Sequence, residues 1–457
     1  MRDVSIQFLG AASTVTGSKH LLKTPEKNIL VDCGLFQGIK SLRLKNREPL
    51  PKIPGGIDLV ILTHAHLDHC GYLPLLVKHG FGGKVLMTPP TKDLAEIILR
   101  DSAKIQKEDT ERANREGFSK HKPALPLYTL KDVEEAIKHF EACSNNQWIK
   151  ISDNIQFRFL RNGHILGSAF VEMDCFGKKI IFSGDIGRSR NGIMNPPSII
   201  EEADFLVMES TYGDRLHSAV SAKDELAEII NDTLHNKGNL LIPSFAVGRA
   251  QEIMNMVNQL KKEIRIPNVP VYMDSPMGAD ATKILHKYPE WHKFSSEECN
   301  AVCHDIKIIT DFHDTQKIIA SKENKIVIAA SGMLTGGRVL EYLKYYVGER
   351  KNTILLVGYQ AEGTRGRALK NEAHEIKMHG KFYEVRARVK EISSLSAHAD
   401  QREMLDWLKQ FKKKPKNIFL VHGEPNAQEM FRVKIQDELK IEVVVPKQND
   451  EKILFAV

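Results

Sequence analysis

The sequence has little cysteine and tryptophan and contains no long hydrophobic run. Its 457 residues include six cysteines and three tryptophans, and no two cysteines form a CxxC pair. This low thiol content excludes a disulfide-stapled secreted domain and is typical of a reducing compartment, so we expect a cytoplasmic protein. The N-terminal segment lacks the charged and then apolar order of a signal peptide. No apolar run approaches the about 20 residues that a membrane span requires, which excludes a membrane protein.

Charge is nearly balanced, with 65 lysines and arginines against 58 acidic residues and a net charge of +7. This balance allows a polyanionic partner but does not by itself indicate one. A composition of 42% hydrophobic and 27% charged residues indicates a folded globular chain. Histidine, in contrast, is abundant, with 18 residues. Because histidine is the commonest metal ligand, the positions of these residues become the main question.

The pattern of apolar runs changes along the chain. Up to about residue 210, short runs such as 28–31 and 59–62 predict strands, and the charged stretch 91–145 predicts two helices packed on them. Beyond residue 210, strands and helices alternate; the run 240–243, for example, precedes a predicted helix at 247–260. Strands that alternate with helices predict a parallel sheet and therefore an α/β fold.

The most informative segment is THAHLDH at residues 63–69, which directly follows the apolar run 59–62. Four of its side chains can bind metal: His64, His66, Asp68 and His69. In a tight loop at a strand end such side chains can converge, and imidazole with carboxylate suits zinc or another borderline divalent metal. The alternative is a polar loop of unliganded histidines. It is disfavoured because unpaired polar groups beside a buried strand are costly.

Two metal ions need more ligands than this loop supplies, and two later segments provide candidates. His164 lies between glycines after the predicted strand 155–160, and Asp185 follows the apolar run 179–182. An aspartate at a strand end is also a common turn residue, so Asp185 alone would carry little weight. Beside the histidine loop, ligation is the better interpretation. Asp32 follows another apolar run and is placed to orient a ligand through a hydrogen bond.

These candidates resemble, in type and order, the metal-binding motifs of the metallo-β-lactamase superfamily. Their order along the chain is His64, His66, Asp68, His69, His164 and Asp185. Glu209, His398 and His422 each lie at a strand or helix boundary and resemble the three additional motifs of the β-CASP nucleases within that superfamily. With a histidine at the third of these positions, the sequence resembles the RNA-cleaving branch of the family, which includes the endonucleases of pre-mRNA 3′-end processing.

The resemblance implies a fold and a domain organisation. The expected fold is α/β, an αββα metallo-β-lactamase sandwich with an inserted parallel α/β β-CASP domain. Residues 1–209 would form the first part of the sandwich, 210–370 the insert, and 371–457 the part that completes the sandwich. Alternating residues near position 377 agree with this division. Because the first predicted strand begins at Val4, we expect no additional N-terminal RNA-binding domain.

The resemblance also implies a zinc-dependent ribonuclease that acts on single-stranded RNA, with two Zn²⁺ ions and with Mn²⁺ as the alternative. The implied ligands are His64, His66 and His164 for one ion, Asp68, His69 and His422 for the other, and Asp185 for both. A hydroxide shared by the ions would attack phosphorus, and His398, kept protonated by Glu209, would protonate the leaving ribose oxygen. The implied catalytic residues are therefore Asp68, Asp185, Glu209 and His398. Internal cleavage is expected, with 5′→3′ exonuclease action as the alternative.

Three further segments run from a strand into a helix through glycine-containing loops, at residues 242–249, 329–338 and 358–364. Backbone N–H groups at helix starts can bind phosphate, and loops at the ends of parallel strands face one crevice. Tight turns without a ligand are the alternative. Similar loops in β-CASP proteins line the RNA cleft. The expected RNA-binding residues are Ser331, Gly332, Met333 and Arg338, followed by Ser244, Arg249, Tyr359 and Gln360.

Other functions remain open at the level of the sequence. A small-molecule hydrolase of the glyoxalase or lactonase type would share the metal loop but needs neither His398 nor His422. A DNA-processing β-CASP nuclease is a second alternative. An inactive RNA-binding scaffold is a third, although it would lack ligands and none is missing. The basic run 409–416 is expected to be a solvated helix end rather than an RNA contact. The oligomeric state is open, with a homodimer as one alternative.

Overall fold

The computed structural model describes residues 3–190, 192–304 and 306–457, and the chain divides into two compact units. The first unit comprises Met1–Gln106, Pro126–Leu216 and Ala397–Val457. The second unit comprises Lys107–Leu125 and His217–Ser396. Among the helices of the described residues, none combines the length and apolarity needed to cross a membrane.

The strands of the described residues are numbered in chain order. They are β1 (Asp3–Gly10), β2 (Lys19–Lys23), β3 (Asn28–Val31), β4 (Leu59–Ile61), β5 (Lys84–Met87), β6 (Phe140–Ala142), β7 (Ile149–Lys150), β8 (Ile155–Arg161), β9 (Ala169–Cys175), β10 (Lys178–Phe182), β11 (Phe205–Glu209), β12 (Leu240–Pro243), β13 (Val271–Asp274), β14 (Lys307–Ile309), β15 (Ile326–Ala329), β16 (Thr353–Leu356), β17 (Glu375–Met378), β18 (Lys381–Glu384), β19 (Arg388–Glu391), β20 (Asn417–Val421), β21 (Glu442–Val444) and β22 (Glu451–Ala456).

The α-helices follow the same order. They are α1 (Lys40–Lys45), α2 (Leu67–Cys70), α3 (Leu73–Lys78), α4 (Pro89–Glu116), α5 (Leu130–Ile137), α6 (Ala222–His235), α7 (Arg249–Lys262), α8 (Pro276–Lys287), α9 (Ser296–His304), α10 (Phe312–Ala320), α11 (Val339–Tyr346), α12 (Arg365–Lys370), α13 (Gln401–Leu408) and α14 (Pro425–Leu439). The two helices predicted within residues 91–145 correspond to α4 and α5.

The first unit contains two seven-stranded sheets that share one hydrophobic core. Their strand orders are β22-β1-β2-β3-β4-β5-β6 and β21-β20-β11-β10-β9-β8-β7. Because successive side chains of a strand face opposite sides, alternate residues enter the core, as Val4, Ile6 and Phe8 do along β1. Phe157 and Phe159 enter it from the second sheet, with their rings edge to face at 5.2 Å.

The opposite face of the second sheet is covered by α13 and α14. Trp407 of α13 stacks on Phe170 of the sheet, with ring centroids 4.9 Å apart. Phe431 and Ile435 of α14 lie in the same buried cluster, one helical turn apart. Helices therefore cover this face of the sandwich, and the α/β class expected from the sequence is confirmed.

Each sheet of the first unit contains a run of parallel strands. The strands β3, β4 and β5 are parallel in one sheet, and β10, β11 and β20 are parallel in the other. Parallel neighbours have their carboxyl ends at one edge of a sheet. The segments that follow these strands are thereby brought close together, although they are distant in sequence.

The second unit is built on a six-stranded parallel sheet with the order β14-β13-β15-β12-β16-β19. Helix α11 shows how its helices pack: Val339, Tyr342, Leu343 and Tyr346 are buried with the spacing of one helical face. A two-stranded antiparallel hairpin, β17 and β18, belongs to the same unit. The parallel α/β sheet predicted for this part of the chain is confirmed.

The units differ from the expected domain ranges 1–209, 210–370 and 371–457 at three places. Lys107–Leu125 belongs to the second unit, the first unit extends to Leu216, and the second unit extends to Ser396. Strand β19 pairs with β16 through residues 353–356 and 388–391, so the segment up to Ser396 lies in the second unit. Alternation along a strand indicates that one face is buried but does not identify the neighbouring strand. The sequence analysis also missed β22, most of whose residues are exposed or half-buried and so give no clear apolar alternation.

Candidate metal centre

The ligand candidates of the first unit follow the carboxyl ends of its strands. The segment 63–69 follows β4, and Asp185 comes three residues after β10. His422 directly follows β20, and Glu209 is the last residue of β11. The parallel pairing of β10, β11 and β20 thus brings together residues that are more than 200 positions apart. All the predicted metal ligands lie in this unit.

One group of donors consists of His64, His66, His164 and Asp185. His66 Nδ1 lies 3.0 Å from His64 Nε2 and 3.3 Å from His164 Nε2. Asp185 Oδ2 lies 3.4 Å from each of those two Nε2 atoms. Ligand atoms at the corners of a tetrahedron around zinc are about 3.3 Å apart, so this spacing fits one ion.

The chemistry of this group also fits a cation. Burial lowers the pKa of His66 to about 3 and lowers those of His64 and His164 as well, so the three imidazoles are neutral at pH 7. Neutral imidazole nitrogens with lone pairs facing one another repel, unless a cation lies among them. Within the described residues, the buried Oδ1 of Asp185 has no hydrogen-bond partner.

The second group consists of Asp68, His69 and His422. His422 Nε2 lies 3.3 Å from Asp68 Oδ2, and His69 Nε2 lies 4.0 Å from the same oxygen. His69 Nε2 also lies 3.3 Å from Asp185 Oδ1. Asp185 therefore faces both groups, one with each carboxylate oxygen.

Asp185 remains a carboxylate despite its burial. Burial alone would raise the pKa of this acid, but the surrounding histidines, above all His422 and His69, hold it well below its usual range. For His69 the opposite balance applies: burial lowers its pKa, and Asp185 together with Asp32 raises it well above the usual value. A buried anion surrounded by imidazoles is the arrangement expected of a shared metal ligand.

Asp32 orients His69, as its position after β3 predicted. Its Oδ2 lies 2.8 Å from His69 Nδ1, and its Oδ1 accepts a hydrogen bond of 2.8 Å from the backbone N–H of Thr63. The Thr63 hydroxyl in turn lies 3.1 Å from His64 Nδ1. Asp32 has a left-handed backbone (φ 61°), which is uncommon outside glycine and turns its carboxylate toward the loop.

His398 and Glu209 form a buried pair beside the metal ligands. His398 Nδ1 lies 3.1 Å from both carboxylate oxygens of Glu209, and His398 Nε2 lies 4.0 Å from Asp185 Oδ2. Glu209 is held in turn by the backbone N–H groups of Ile186 and Thr211. Although burial lowers the pKa of His398, Glu209 and Asp185 raise it to about 9.

The three glycine-containing loops predicted to bind RNA lie in the second unit. They follow β12, β15 and β16, which are neighbouring parallel strands, so the loops share one edge of the sheet. Gln360 Nε2 joins two of the loops by donating to Gly332 O at 3.1 Å and to Gly358 O at 3.0 Å. The structure therefore brings these loops together, as their positions at strand ends indicated.

Many polar groups of these loops already have partners within the protein. Arg338 forms an ion pair of 3.3 Å with the buried Asp274, and Arg249 forms one with Glu252. Four of the remaining candidates are buried: Ser244, Gln360, Gly332 and Met333. The Ser331 hydroxyl accepts a hydrogen bond from Thr335 N, and the Tyr359 ring lies against the Arg367 guanidinium. RNA binding by these residues stays a prediction.

The sequence analysis missed the hydroxyl groups that contact ligand histidines. Thr63 contacts His64, and Thr211 contacts His422. The available signal was that each threonine directly precedes or closely follows a motif acid or histidine. Only the structure shows that Thr211 faces a residue of a different strand.

A two-sheet α/β sandwich with two groups of buried histidine and carboxylate donors at its strand ends defines a metal-dependent hydrolase. The chain belongs to the β-CASP nucleases of the metallo-β-lactamase superfamily, as its motifs indicated. Three family models match it: the metallo-β-lactamase superfamily at residues 17–134, the β-CASP domain at 250–369, and the Zn-dependent metallo-hydrolase RNA specificity domain at 383–446.

Characterised relatives resemble the chain over most of its length. It is 35% identical to ribonuclease TTHA0252 of Thermus thermophilus, over 91% of this chain and 92% of that protein. It is 32% identical to an RNase J-like protein of Methanocaldococcus jannaschii, over 97% and 98% of the two chains. Identity to the transcription termination factor FttA of the same organism is also 32%, over 98% of this chain and 71% of that protein.

A solved structure shares the fold. The crystal structure of a protein of unknown function from Enterococcus faecalis V583 superposes with a TM-score of 0.53 at 12% sequence identity. The match covers 99% of this chain and 100% of that chain. At this identity the likeness supports the fold alone.

Proposed function

We propose that this protein is a metal-dependent ribonuclease that hydrolyses phosphodiester bonds within single-stranded RNA. The observation that carries the proposal is the His398–Glu209 pair beside two groups of metal donors, one of which contains His422. A small-molecule hydrolase needs neither histidine. The RNA specificity family at residues 383–446 and a relative named as a ribonuclease support RNA as the substrate.

The metal ions of this proposal are two zinc ions, with manganese as the alternative. Their ligands would be His64, His66 and His164 for one, Asp68, His69 and His422 for the other, and Asp185 for both. Bound there, the ions would lower the pKa of water and neutralise charge on the phosphoryl oxygens. The catalytic residues would be Asp68, Asp185, Glu209 and His398.

His398 is suited to protonate the leaving ribose oxygen. Its Nδ1 faces Glu209, so the proton to be transferred would be the one on Nε2, which lies on the side of Asp185. With a pKa raised to about 9, His398 is protonated at neutral pH. Loss of the ribose oxygen from phosphorus would leave a 5′-phosphate and a 3′-hydroxyl. A positioned acid of this kind contributes about 10²–10⁴-fold to the rate.

The test uses 5′-labelled single-stranded RNA, with and without a chelator, analysed on a sequencing gel. Internal fragments that disappear with chelator are expected. Mononucleotides as the first product would instead indicate exonucleolytic action, and no cleavage by a metal-loaded protein would contradict the proposal. A labelled single-stranded DNA of the same sequence serves as the matched control. A homodimer and a cytoplasmic location stay predictions, the former testable by light scattering.

A further inference from the structure

Thr211 joins the end of β11 to the histidine that ends β20. Its Oγ1 lies 3.0 Å from His422 Nδ1 and 3.1 Å from His422 O. The threonine is 1% exposed and the histidine 4%. One hydroxyl group therefore contacts both the ring and the backbone of the same metal-ligand candidate, within a buried environment.

The backbone of His422 is in a conformation that needs support. Its φ of 48° lies in the left-handed region, which is unfavourable for a residue other than glycine. Its N–H donates to Ala11 O at 2.7 Å, and its carbonyl accepts from Ser210 N at 3.2 Å and from the Thr211 hydroxyl. The strand-end segment 210–211 thus helps to hold His422 in this conformation.

The same contact determines which ring nitrogen of His422 carries the proton. A threonine hydroxyl has a single hydrogen, and that of Thr211 is donated to His422 O. In that arrangement its oxygen is left to accept from Nδ1–H of the ring, at 3.0 Å. Asp185 Oδ1 lies on the same side of the ring, 3.6 Å from Nδ1. Nε2 is left with its lone pair, and this atom lies 3.3 Å from Asp68 Oδ2.

We propose that Thr211 is a positioning residue for metal binding by Asp68, His69 and His422. It would fix the tautomer and the orientation of His422 so that Nε2 binds the ion. This inference rests on the metal site of the proposed function. Outer contacts of this kind raise metal affinity by about 10–100-fold in other metalloproteins. Because the Thr211 hydroxyl contacts His422, the group of His64, His66 and His164 provides an internal reference.

The test compares Thr211→Val, which keeps the branched shape without the hydroxyl, with Thr211→Ser, which keeps the hydroxyl. Zinc is titrated into metal-free protein against a chromophoric chelator, and thermal unfolding of the same metal-free samples is recorded. We expect two tightly bound zinc ions in the unsubstituted protein. Thr211→Val should weaken one of them by about 10–100-fold and leave the other unchanged, and Thr211→Ser should restore it.

Three results would overturn the inference. The first is an unchanged affinity for both zinc ions in Thr211→Val. The second is a failure of Thr211→Ser to restore the affinity for the more weakly bound ion. The third is an equal loss of affinity for both ions together with a lower unfolding temperature of the metal-free protein. The last result would indicate a purely structural role. Fewer than two zinc ions in the unsubstituted protein would contradict the proposed metal site itself. RNA cleavage is measured separately, so the two failures can be distinguished.

Discussion

The two units place their functional candidates at equivalent positions, the carboxyl ends of parallel strands, but the charged groups among those candidates are paired differently. In the first unit, neutral imidazoles converge within about 3.3 Å and Asp185 Oδ1 has no hydrogen-bond partner. In the second unit, the guanidinium of Arg338 has Asp274, Thr315 and the Thr310 carbonyl as partners. Polar groups in the first unit need a ligand, whereas Arg338 in the second unit does not.

This difference bears on the predicted roles of the two units, a metal site in the first and RNA contacts in the second. Burying polar atoms without partners costs free energy that folding alone does not recover. The first unit accepts that cost at the donor cluster around Asp185, as expected for a metal-dependent catalytic site. In the second unit the charged side chains of the loops, Arg338 and Arg249, already have ion-pair partners, although the buried Oε1 of Gln360 has no hydrogen bond within the described residues. Substitutions in the two units should therefore affect different parameters.

The largest effect is expected for Asp185→Asn in the first unit. This change removes the charge that faces both donor groups, at 3.3 Å from His69 and 3.4 Å from His64 and His164. Bound zinc should fall below two ions per chain and RNA cleavage by more than about 10³-fold, because transition-state charge would lose its stabilisation. Metal analysis after gel filtration and the RNA gel assay measure these losses. Retention of both ions with full activity would contradict the shared-ligand role.

A smaller loss is expected for His398→Ala. Turnover should fall about 10²–10⁴-fold, since a positioned acid is lost, while both metal ions remain bound. Single-turnover kinetics and metal analysis check the two parts of this prediction. Loss of metal from this variant would show that His398 acts as a ligand instead of as an acid.

The pH profile gives an independent check on the same residue. The protonated form of His398 is the active acid, and its pKa is raised to about 9 by Glu209 and Asp185 against the lowering effect of burial. Activity should therefore decline as the pH rises through about 9. In Glu209→Gln the decline should occur at lower pH, because the largest of the charges that raise the pKa of His398 is removed. If activity declined at the same alkaline pH in both proteins, the result would contradict the claim that Glu209 raises the pKa of His398.

A still smaller effect, on a different parameter, is expected for Arg338→Met in the second unit. If the guanidinium also contacts an RNA phosphate, KM for RNA should rise about tenfold. The slope of the logarithm of the binding constant against the logarithm of the salt concentration should become shallower by about one. Both kcat and metal content should be unchanged. Arg338→Lys, which keeps the charge but not the planar fork, is the matched control. An unchanged KM would assign Arg338 entirely to its partners Asp274 and Thr315.

The smallest effect is expected in the basic run 409–416. Lys412 pairs with Glu201 at 2.8 Å, Lys409 with Glu438 at 2.9 Å, and Lys414 donates to Leu439 O at 3.1 Å. Lys412→Ala should leave RNA cleavage unchanged and stability within about 0.5 kcal/mol, because exposed ion pairs contribute little. Thermal unfolding and the gel assay are sufficient for this test. A clear rise in KM would revive the interpretation of this run as an RNA contact.

The sequence predicted the metal loop well because its signal is local. His64, His66, Asp68 and His69 lie within six residues, and their side-chain chemistry does not depend on what they contact. Many of the strands and several of the helices were predicted for the same reason, since periodicity is a property of short segments. The partner of a strand was harder to predict. Residues 377–392 alternate as a strand segment should, yet β19 within them pairs with β16 of the second unit.

The sequence by itself determined the ligand types, their order, and membership of the β-CASP family. Only the tertiary structure decided which of those residues meet: that Asp185 faces both donor groups, that Asp32 holds His69, and that Thr211 reaches His422. The physical reason is that residue chemistry and periodicity are carried by neighbouring positions in the chain. Contacts between β11 and β20 depend instead on parallel strand pairing across more than 200 residues, which no local pattern specifies.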